Sequence, residues 1–226
     1  MLLRRNVVAF NKLVDGQVVV AYQGLKFVIN QDSGLGPLFI KYYEPLAFKA
    51  LASTEGRIFV DIGANVGGYS LRMASIYERV VAVEPGHVAA SILRENIVIN
   101  EIKNVEVLER AVSSAPMSTR LYRTGEIATW TIEPTGGDYV DVPTISLEGI
   151  IRGLGKIDAM KVDAEGAELQ ILESSGGVLN WVGNIVIEAR LENASRIRSL
   201  LTANGFRTED LDAEGGIILV HGEQKS

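Results

Sequence analysis

Apolar and polar positions change their rhythm along this chain, and the change divides it. The first thirty residues read as β: Val18-Val19-Val20-Ala21-Tyr22 and Leu25-Lys26-Phe27-Val28-Ile29 flank Gln23-Gly24, which predicts a hairpin with a two-residue turn. Gln31 to Pro37 reads as loop. Leu38 to Ser53 has helical spacing interrupted by Pro45, which predicts that a helix ends or kinks near Glu44. From Arg57 onward short apolar runs alternate with helical patterns. Strands are expected over 58–61, 80–84, 105–109, 159–163, 185–188 and 217–221, and helices over about 67–77, 88–100, 147–154, 167–174 and 194–204. Such alternation predicts an open α/β fold, a mostly parallel sheet with helices on both faces. Two stretches depart from it. Met117 to Pro143 is rich in Thr, Gly and aromatics without helical period, so it is expected as an inserted β excursion. Near the end, Gly205-Phe206-Arg207-Thr208 and the 217–220 run are joined by too few residues for a parallel crossover, so the last strand is expected to run antiparallel. The division expected is an N-terminal β-hairpin and helix appendage over 1–53 and a ligand-binding domain over 54–226.

Composition narrows the classes. An apolar content of 47% and a charged content of 22% over 226 residues suit a folded chain with a full core. Zero cysteines exclude disulfides, Cys-ligated metal and thiol catalysis. Net charge is −6 and Arg4-Arg5 is the only adjacent basic pair, so no phosphate-tracking stripe is visible and a nucleic-acid partner is disfavoured. No apolar run approaches the ~18 residues of a membrane span and no charged-then-apolar leader is present, so a cytoplasmic protein without a membrane partner is expected. A homo-oligomer stays open.

The chemistry begins where the first buried strand ends. Ile58-Phe59-Val60-Asp61 rises into an acid, glycines follow at Gly63, Gly67 and Gly68, and a helical pattern comes next. A strand that delivers a tight turn to a helix is the usual cradle for a nucleotide-like ligand in an α/β protein. This is not the dinucleotide fingerprint G-x-G-x-x-G. An acid at the strand tip repels a pyrophosphate but suits a ligand with a cationic amino-acid end, such as S-adenosylmethionine. About 20 residues past the turn, Val80-Val81-Ala82-Val83 ends in Glu84-Pro85-Gly86, a carboxylate placed to accept ribose hydroxyls. Nicotinamide proteins share that acid, so Glu84 alone points to an adenosine-type ligand without naming it. It could also simply sit favourably near a helix N-terminus.

An acid-led glycine turn, a ribose carboxylate and a final antiparallel strand resemble a class I methyltransferase, Rossmann-like, with a mostly parallel seven-stranded sheet. The closer resemblance is to the FkbM-type family of S-adenosylmethionine-dependent methyltransferases, over roughly Glu44 to Glu188. It rests on Val60-Asp61-Ile62-Gly63-Ala64-Asn65-Val66-Gly67, on Val83-Glu84-Pro85, on Asn104 to Val107 leading into Arg110-Ala111-Val112-Ser113, and on Met160-Lys161-Val162-Asp163-Ala164-Glu165-Gly166-Ala167-Glu168. The last block, D-x-E-G-x-E, is the most specific. The resemblance implies that Asp61, Gly63 and Asn65, with Ala64 and Gly67 of the same turn, face the methionine end of S-adenosyl-L-methionine. It puts Glu84 and Pro85 at the ribose, Ala111 at the adenine and Asp163 beside the cofactor, and makes Tyr43 and Glu44 weaker candidates.

Asp163 and Glu165 lie at or just past the end of the fourth strand, where open α/β sheets place their sites. A carboxylate in a closed cleft, its pKa raised by desolvation, can take a proton from an acceptor hydroxyl, so both are the candidate catalytic residues. Glu165 and Glu168 could instead only stabilise the next helix turn, Glu168 above all, and Asp212-Ala213-Glu214-Gly215 repeats D-A-E-G in what reads as a plain turn. Asp163, Glu165 and Glu188 could together hold a divalent ion through oxygen ligands, but no D-D or D-N pair of the catechol type stands nearby and no metal is expected. His87 reads as a cap or adenine neighbour, His221 as surface, and Trp130 as a side chain facing the acceptor. The function expected is O-methylation of a hydroxyl on a small molecule or saccharide, the acceptor class coming from the resemblance. The rivals are an RNA methyltransferase, a catalytically silent cofactor-binding regulatory protein, and a nicotinamide dehydrogenase, the last opposed by Asp61.

Overall fold

The chain is seen here as a computed structural model that describes residues 7–12, 18–22, 24–29, 44–53, 56–114, 117–124, 129–175 and 177–224. Gln23, the loop expected over 31–37, the helical spacing from Leu38 and the candidate Tyr43 lie outside the described residues.

Three strands open it: β1 (Val7–Lys12), β2 (Val18–Tyr22) and β3 (Leu25–Ile29), an antiparallel sheet in that order. The β2–β3 hairpin is as expected, with Tyr22 opposite Leu25 and Gly24 at φ +83°, a left-handed turn position that glycine fills without steric cost. β1 was not expected from the sequence. Helix α1 (Pro45–Ala52) follows, and Pro45 does not end a helix near Glu44 but opens one, at the position where a missing N–H costs nothing.

The main sheet comes next: β4 (Gly56–Ile62), the short helix α2 (Ser70–Met73), β5 (Tyr77–Val83), α3 (His87–Ile99) and β6 (Val105–Leu108). The β excursion is β7 (Ala111–Val112), β8 (Ser118–Thr124), β9 (Thr129–Thr131) and β10 (Tyr139–Ile145), a separate four-stranded sheet in the order β7-β10-β8-β9. Then come α4 (Leu147–Leu154), β11 (Ile157–Val162), α5 (Glu168–Glu173), β12 (Val182–Arg190), α6 (Ala194–Ala203), β13 (Phe206–Glu214) and β14 (Ile217–Gln224). The large sheet has seven strands in the order β13-β14-β12-β11-β4-β5-β6. β6, β5, β4, β11 and β12 run parallel, and β14 pairs antiparallel with both β12 and β13, as the short link between them demands. This is the mostly parallel, Rossmann-like sheet of the class I methyltransferases.

Two local expectations fail for readable reasons. The helix expected over 67–77 shrinks to four residues, because Gly67 sits at φ +97° and β5 already begins at Tyr77. The second D-A-E-G is not a plain turn: Asp212, Ala213 and Glu214 end β13, and Gly215-Gly216 turn into β14.

Strand alternation sends side chains to two faces. One face packs Val60, Val81, Met160, Val162, Ile185 and Ile187 under Leu147, Ile151, Ile171, Leu172, Ile197 and Leu201 of α4, α5 and α6. The other packs Phe59, Val80, Ala159 and Val186 under Ala47 and Leu51 of α1, with Tyr69 and Met73. Toward the C-terminal strand ends this second face turns from apolar to ionic.

Candidate active site

A crevice with a cavity volume of about 100 Å³ opens at the C-terminal ends of β4, β5 and β11. It lies at the end of the sheet where such folds bind ligands. Its wall includes Ile62, Gly63, Asn65, Glu84, Pro85, Ala111, Asp163 and Glu165, so most residues that the sequence nominated meet around one space. Asp61, Ala64 and Gly67 were nominated with them and do not line it. Ile62 faces the crevice, so its neighbour Asp61 points to the opposite face, fully buried, and accepts a 2.6 Å hydrogen bond from the Ser70 hydroxyl.

The turn residues explain the local geometry. Gly63 stands at φ +79°, and a Cβ there would collide with the carbonyl oxygen of Asp163, so the first and fourth strand tips touch only because residue 63 is glycine. A Cβ on Gly67 would drive into Leu71 and Leu93. Glu84 is nearly sealed from solvent, and its two oxygens accept from the backbone N–H of Asn65 at 2.8 Å and of Gly86 at 2.7 Å. Burial pushes this carboxyl up to about 7, against the pull of those two donors. One acid therefore ties the glycine turn to the start of α3.

The loop after β11 is held as firmly. Glu165 sits at φ +53° and Gly166 at φ +105°. A non-glycine residue in the left-handed region costs of order 1–3 kcal/mol, and such strain concentrates at functional sites. Glu168, buried behind the loop, accepts from Ala164 N–H at 2.7 Å and Gly166 N–H at 2.9 Å, which holds the conformation in place. Its other oxygen is buried with no hydrogen-bond partner, and burial raises its pKa. Glu168 is thus the support of the loop, not a wall of the crevice. Glu165 is pushed up to about 6, by burial first and then by the charges of Asp163 and Glu168.

The largest feature the sequence reading passed over is Lys161. A lysine inside the apolar run Ile157–Val162 is itself a signal, since an ammonium enters a buried strand only with partners. It lies beside Asp61 across the β4–β11 pairing, on the face opposite the crevice core. Its side chain is 4% exposed, and its Nζ donates to Asp163 Oδ2 at 2.7 Å, stands 3.8 Å from Glu44 Oε2 and lies 4.6 Å from the centre of the Tyr69 ring. The Tyr69 hydroxyl donates to the same Glu44 oxygen at 2.8 Å. Burial disfavours the ammonium, but Asp163, Glu44, Tyr69 and Glu188 outweigh it and hold its pKa well above the usual lysine value. Asp61 rises to about 6 because burial exceeds the help of Lys161 and Ser70. Glu188 also rises, through burial and then the Asp163 charge.

Glu188 and Glu44 line a second cleft of about 190 Å³ with Asp212 and Glu214. Among the described residues no group of His, Cys, Asp and Glu is arranged to hold a metal ion. His87 caps nothing by its side chain: its ring meets Glu109 at 2.7 Å in solvent. His221 is not a surface residue, being largely covered and hydrogen-bonded to Asn184 and Glu209, each at 2.9 Å. Trp130 lines the same crevice as Glu84, Pro85 and Ala111, 3.7 Å from where a Cβ on Gly86 would stand, so it borders the wall given to the cofactor.

The crevice suits S-adenosylmethionine by its chemistry: a buried carboxylate at Glu84, an apolar floor of Ile62, Val83 and Ala111, and an acid at Asp163 on the far side. No helix of the described residues is long and apolar enough to cross a membrane. Known proteins agree with this picture. Trm5b from Pyrococcus abyssi superposes with a TM-score of 0.56 at 16% identity, over 94% of this chain and 56% of that one. TYW2 of M. jannaschii, in complex with AdoMet, does so with a TM-score of 0.54 at 14% identity, over 96% and 90%. Likeness at such identities concerns the fold. In sequence, the methyltransferase sdnD of Sordaria araneosa is 29% identical over 188 residues, 65% of this chain and 72% of its own. The model of the methyltransferase FkbM domain matches residues 61–208, which include the glycine turn, Glu84 and the whole Asp163–Glu168 loop. The chain belongs to the FkbM methyltransferase family and is an S-adenosylmethionine-dependent methyltransferase.

Proposed function

We propose that this methyltransferase acts on a hydroxyl of a small molecule or saccharide, with Asp163 and Glu165 as the polar groups that orient the acceptor and take its proton. The observation that carries the reading is the meeting of these two acids on one crevice wall, with Glu165 raised to about 6. Bound there, S-adenosylmethionine supplies an electrophilic methyl group. The chain has to hold the cofactor, exclude water, and present a base of suitable pKa to the acceptor oxygen. Glu84 and the backbone around Gly63 and Asn65 are assigned to the cofactor, Ala111 and Pro85 to its adenosine half. Asp61, behind the strand, is assigned to support of the turn through Ser70.

The second cleft favours a neutral or weakly charged acceptor over RNA. Its wall carries Glu44, Glu188, Asp212 and Glu214, and such a surface repels a phosphate backbone. A cytoplasmic location fits the same reading. The test is methyl transfer from labelled S-adenosylmethionine into a fractionated metabolite extract, with total RNA offered in parallel. Label in a low-molecular-weight, base-stable product supports the reading. Label confined to RNA overturns the acceptor class, and tight cofactor binding with no transfer overturns the catalytic assignment.

A further inference from the structure

The crevice and the acid-lined cleft are separate spaces, yet one buried cation touches a wall of each. Asp163 lines the crevice and Glu44 lines the cleft, and Lys161 meets both, at 2.7 and 3.8 Å. We propose that Lys161 is the positioning residue of the transfer site, its sealed ammonium fixing Asp163 on the cofactor side against Glu44 on the other. This rests on the assignment of Asp163 to the chemistry.

The geometry supports the role in three ways. First, the Lys161 side chain is only 4% exposed, so water does not compete for its end of the pair with Asp163. Second, its surroundings carry an acid on almost every element packed against it. Asp61 comes from β4, Asp163 and Glu165 from β11 and its loop, Glu188 from β12 and Glu44 from the turn into α1, while Tyr69 before α2 contributes a ring face and a hydroxyl. Removing the cation would leave these carboxylates facing one another at the strand tips. Third, the Tyr69 hydroxyl and Lys161 share one Glu44 oxygen, so the ammonium cannot swing away from Asp163 without leaving the ring and Glu44 as well. A carboxylate held in this way keeps its orientation with no ligand present, which is what a proton-accepting or acceptor-orienting group needs.

The test uses Lys161→Met, which removes the charge at similar side-chain length, in the full chain. With methyl-labelled S-adenosylmethionine as donor and the metabolite extract as acceptor, the folded variant is expected to transfer about 10²-fold more slowly. S-adenosylhomocysteine affinity should stay within about threefold of the wild type. The acid limb of the pH–rate profile should move about one unit or more to higher pH, because each carboxylate of the row loses its cation. A folded variant with unchanged rate and unchanged profile overturns the positioning role. If Lys161→Met does not fold, Lys161 is read directly in Asp163→Asn: its side-chain ¹⁵N ammonium signal is expected to exchange with water about tenfold faster than in the wild type. Unchanged exchange overturns the proposal. A wild type that methylates nothing in the extract overturns the assignment of Asp163 instead, and the exchange measurement still decides whether Lys161 holds it.

Discussion

At the scale of single residues the site runs on acids that burial keeps from ionising readily. Glu84 is the clearest case. Its pKa near 7 without ligand reflects burial, and two ribose hydroxyls donating to it would favour the ionised form. S-adenosylhomocysteine should therefore bind more tightly at pH 8 than at pH 6 and release a proton on binding between them. Glu84→Gln should weaken binding by roughly ten- to a hundredfold above pH 7 and flatten the pH dependence. Calorimetry in two buffers of different ionisation heat checks both, and equal affinities at pH 6 and 8 would remove Glu84 from the ligand. The same raised values bear on stability. Asp61, Glu84 and Glu165 have folded-state pKa values of about 6, 7 and 6, above their unfolded ones, so their contribution is complete below about pH 4 and lost as pH rises through 6 to 7. Glu165 adds strain to this. Because its φ is +53°, Glu165→Gly should raise stability by about 1 kcal/mol while turnover falls, a pair of opposite signs readable by thermal melts and the transfer assay. That Gly63, Glu84 and Asp163 meet around one crevice was legible in the sequence because turn chemistry and strand-tip spacing are local. Lys161 was legible only as an oddity, since its partners Glu44 and Tyr69 lie about a hundred residues away along the chain. The sequence placed Asp61 with the turn residues because a strand buried on both faces does not reveal which face meets the crevice.

At the scale of elements, the alternation of apolar runs and helical patterns located six of the seven strands of the large sheet and the antiparallel end, while β13 was seen only in its first residues, most of it passing for a link. What it misjudged were starts and stops. Pro45 was read as a breaker, although a proline also opens helices, and only the packing distinguishes the two. Ala47 and Leu51 on α1 are fully buried against Phe59, Ala159 and Val186, so the helix belongs to the core that carries the ionic row above it. Glu44 immediately precedes this helix, and Asn184 of β12 donates to Ala50 O at 3.0 Å. Leu51→Ala should cost about 2–5 kcal/mol by denaturant unfolding. Because α1 presents Glu44 to Lys161 and Tyr69, turnover in the folded variant should fall more than cofactor affinity. A loss under 1 kcal/mol would mean that α1 is only loosely seated.

At the scale of the whole molecule, the N-terminal sheet is more than an appendage to the cofactor domain. Asn96 of α3 is fully buried and faces two ways: its Oδ1 accepts from Val28 N–H of β3 at 2.6 Å, and its Nδ2 donates to Val66 O in the glycine turn at 2.9 Å. Arg72 does the same by another route, its guanidinium 5.1 Å from the centre of the Phe27 ring and donating to Gly68 O at 2.6 Å. Two buried polar side chains thus join β3 to the carbonyls of Val66 and Gly68 in the turn that shapes the crevice. No sequence pattern could disclose this, because an asparagine in mid-helix reads as a weak helix former and not as a clamp. Asn96→Ala leaves the Val28 N–H and the Val66 carbonyl without that partner, so it should cost about 1–3 kcal/mol. The informative part is the second consequence. If the sheet braces the turn, S-adenosylhomocysteine affinity in the folded variant should drop about tenfold, although residue 96 lies outside the crevice wall. Asn96→Asp, which keeps the acceptor for Val28 but turns a carboxylate oxygen toward the Val66 carbonyl, should weaken the ligand too, at a stability cost at least as large. Equal cofactor affinity in wild type and both variants would show that the turn holds its shape without the N-terminal sheet.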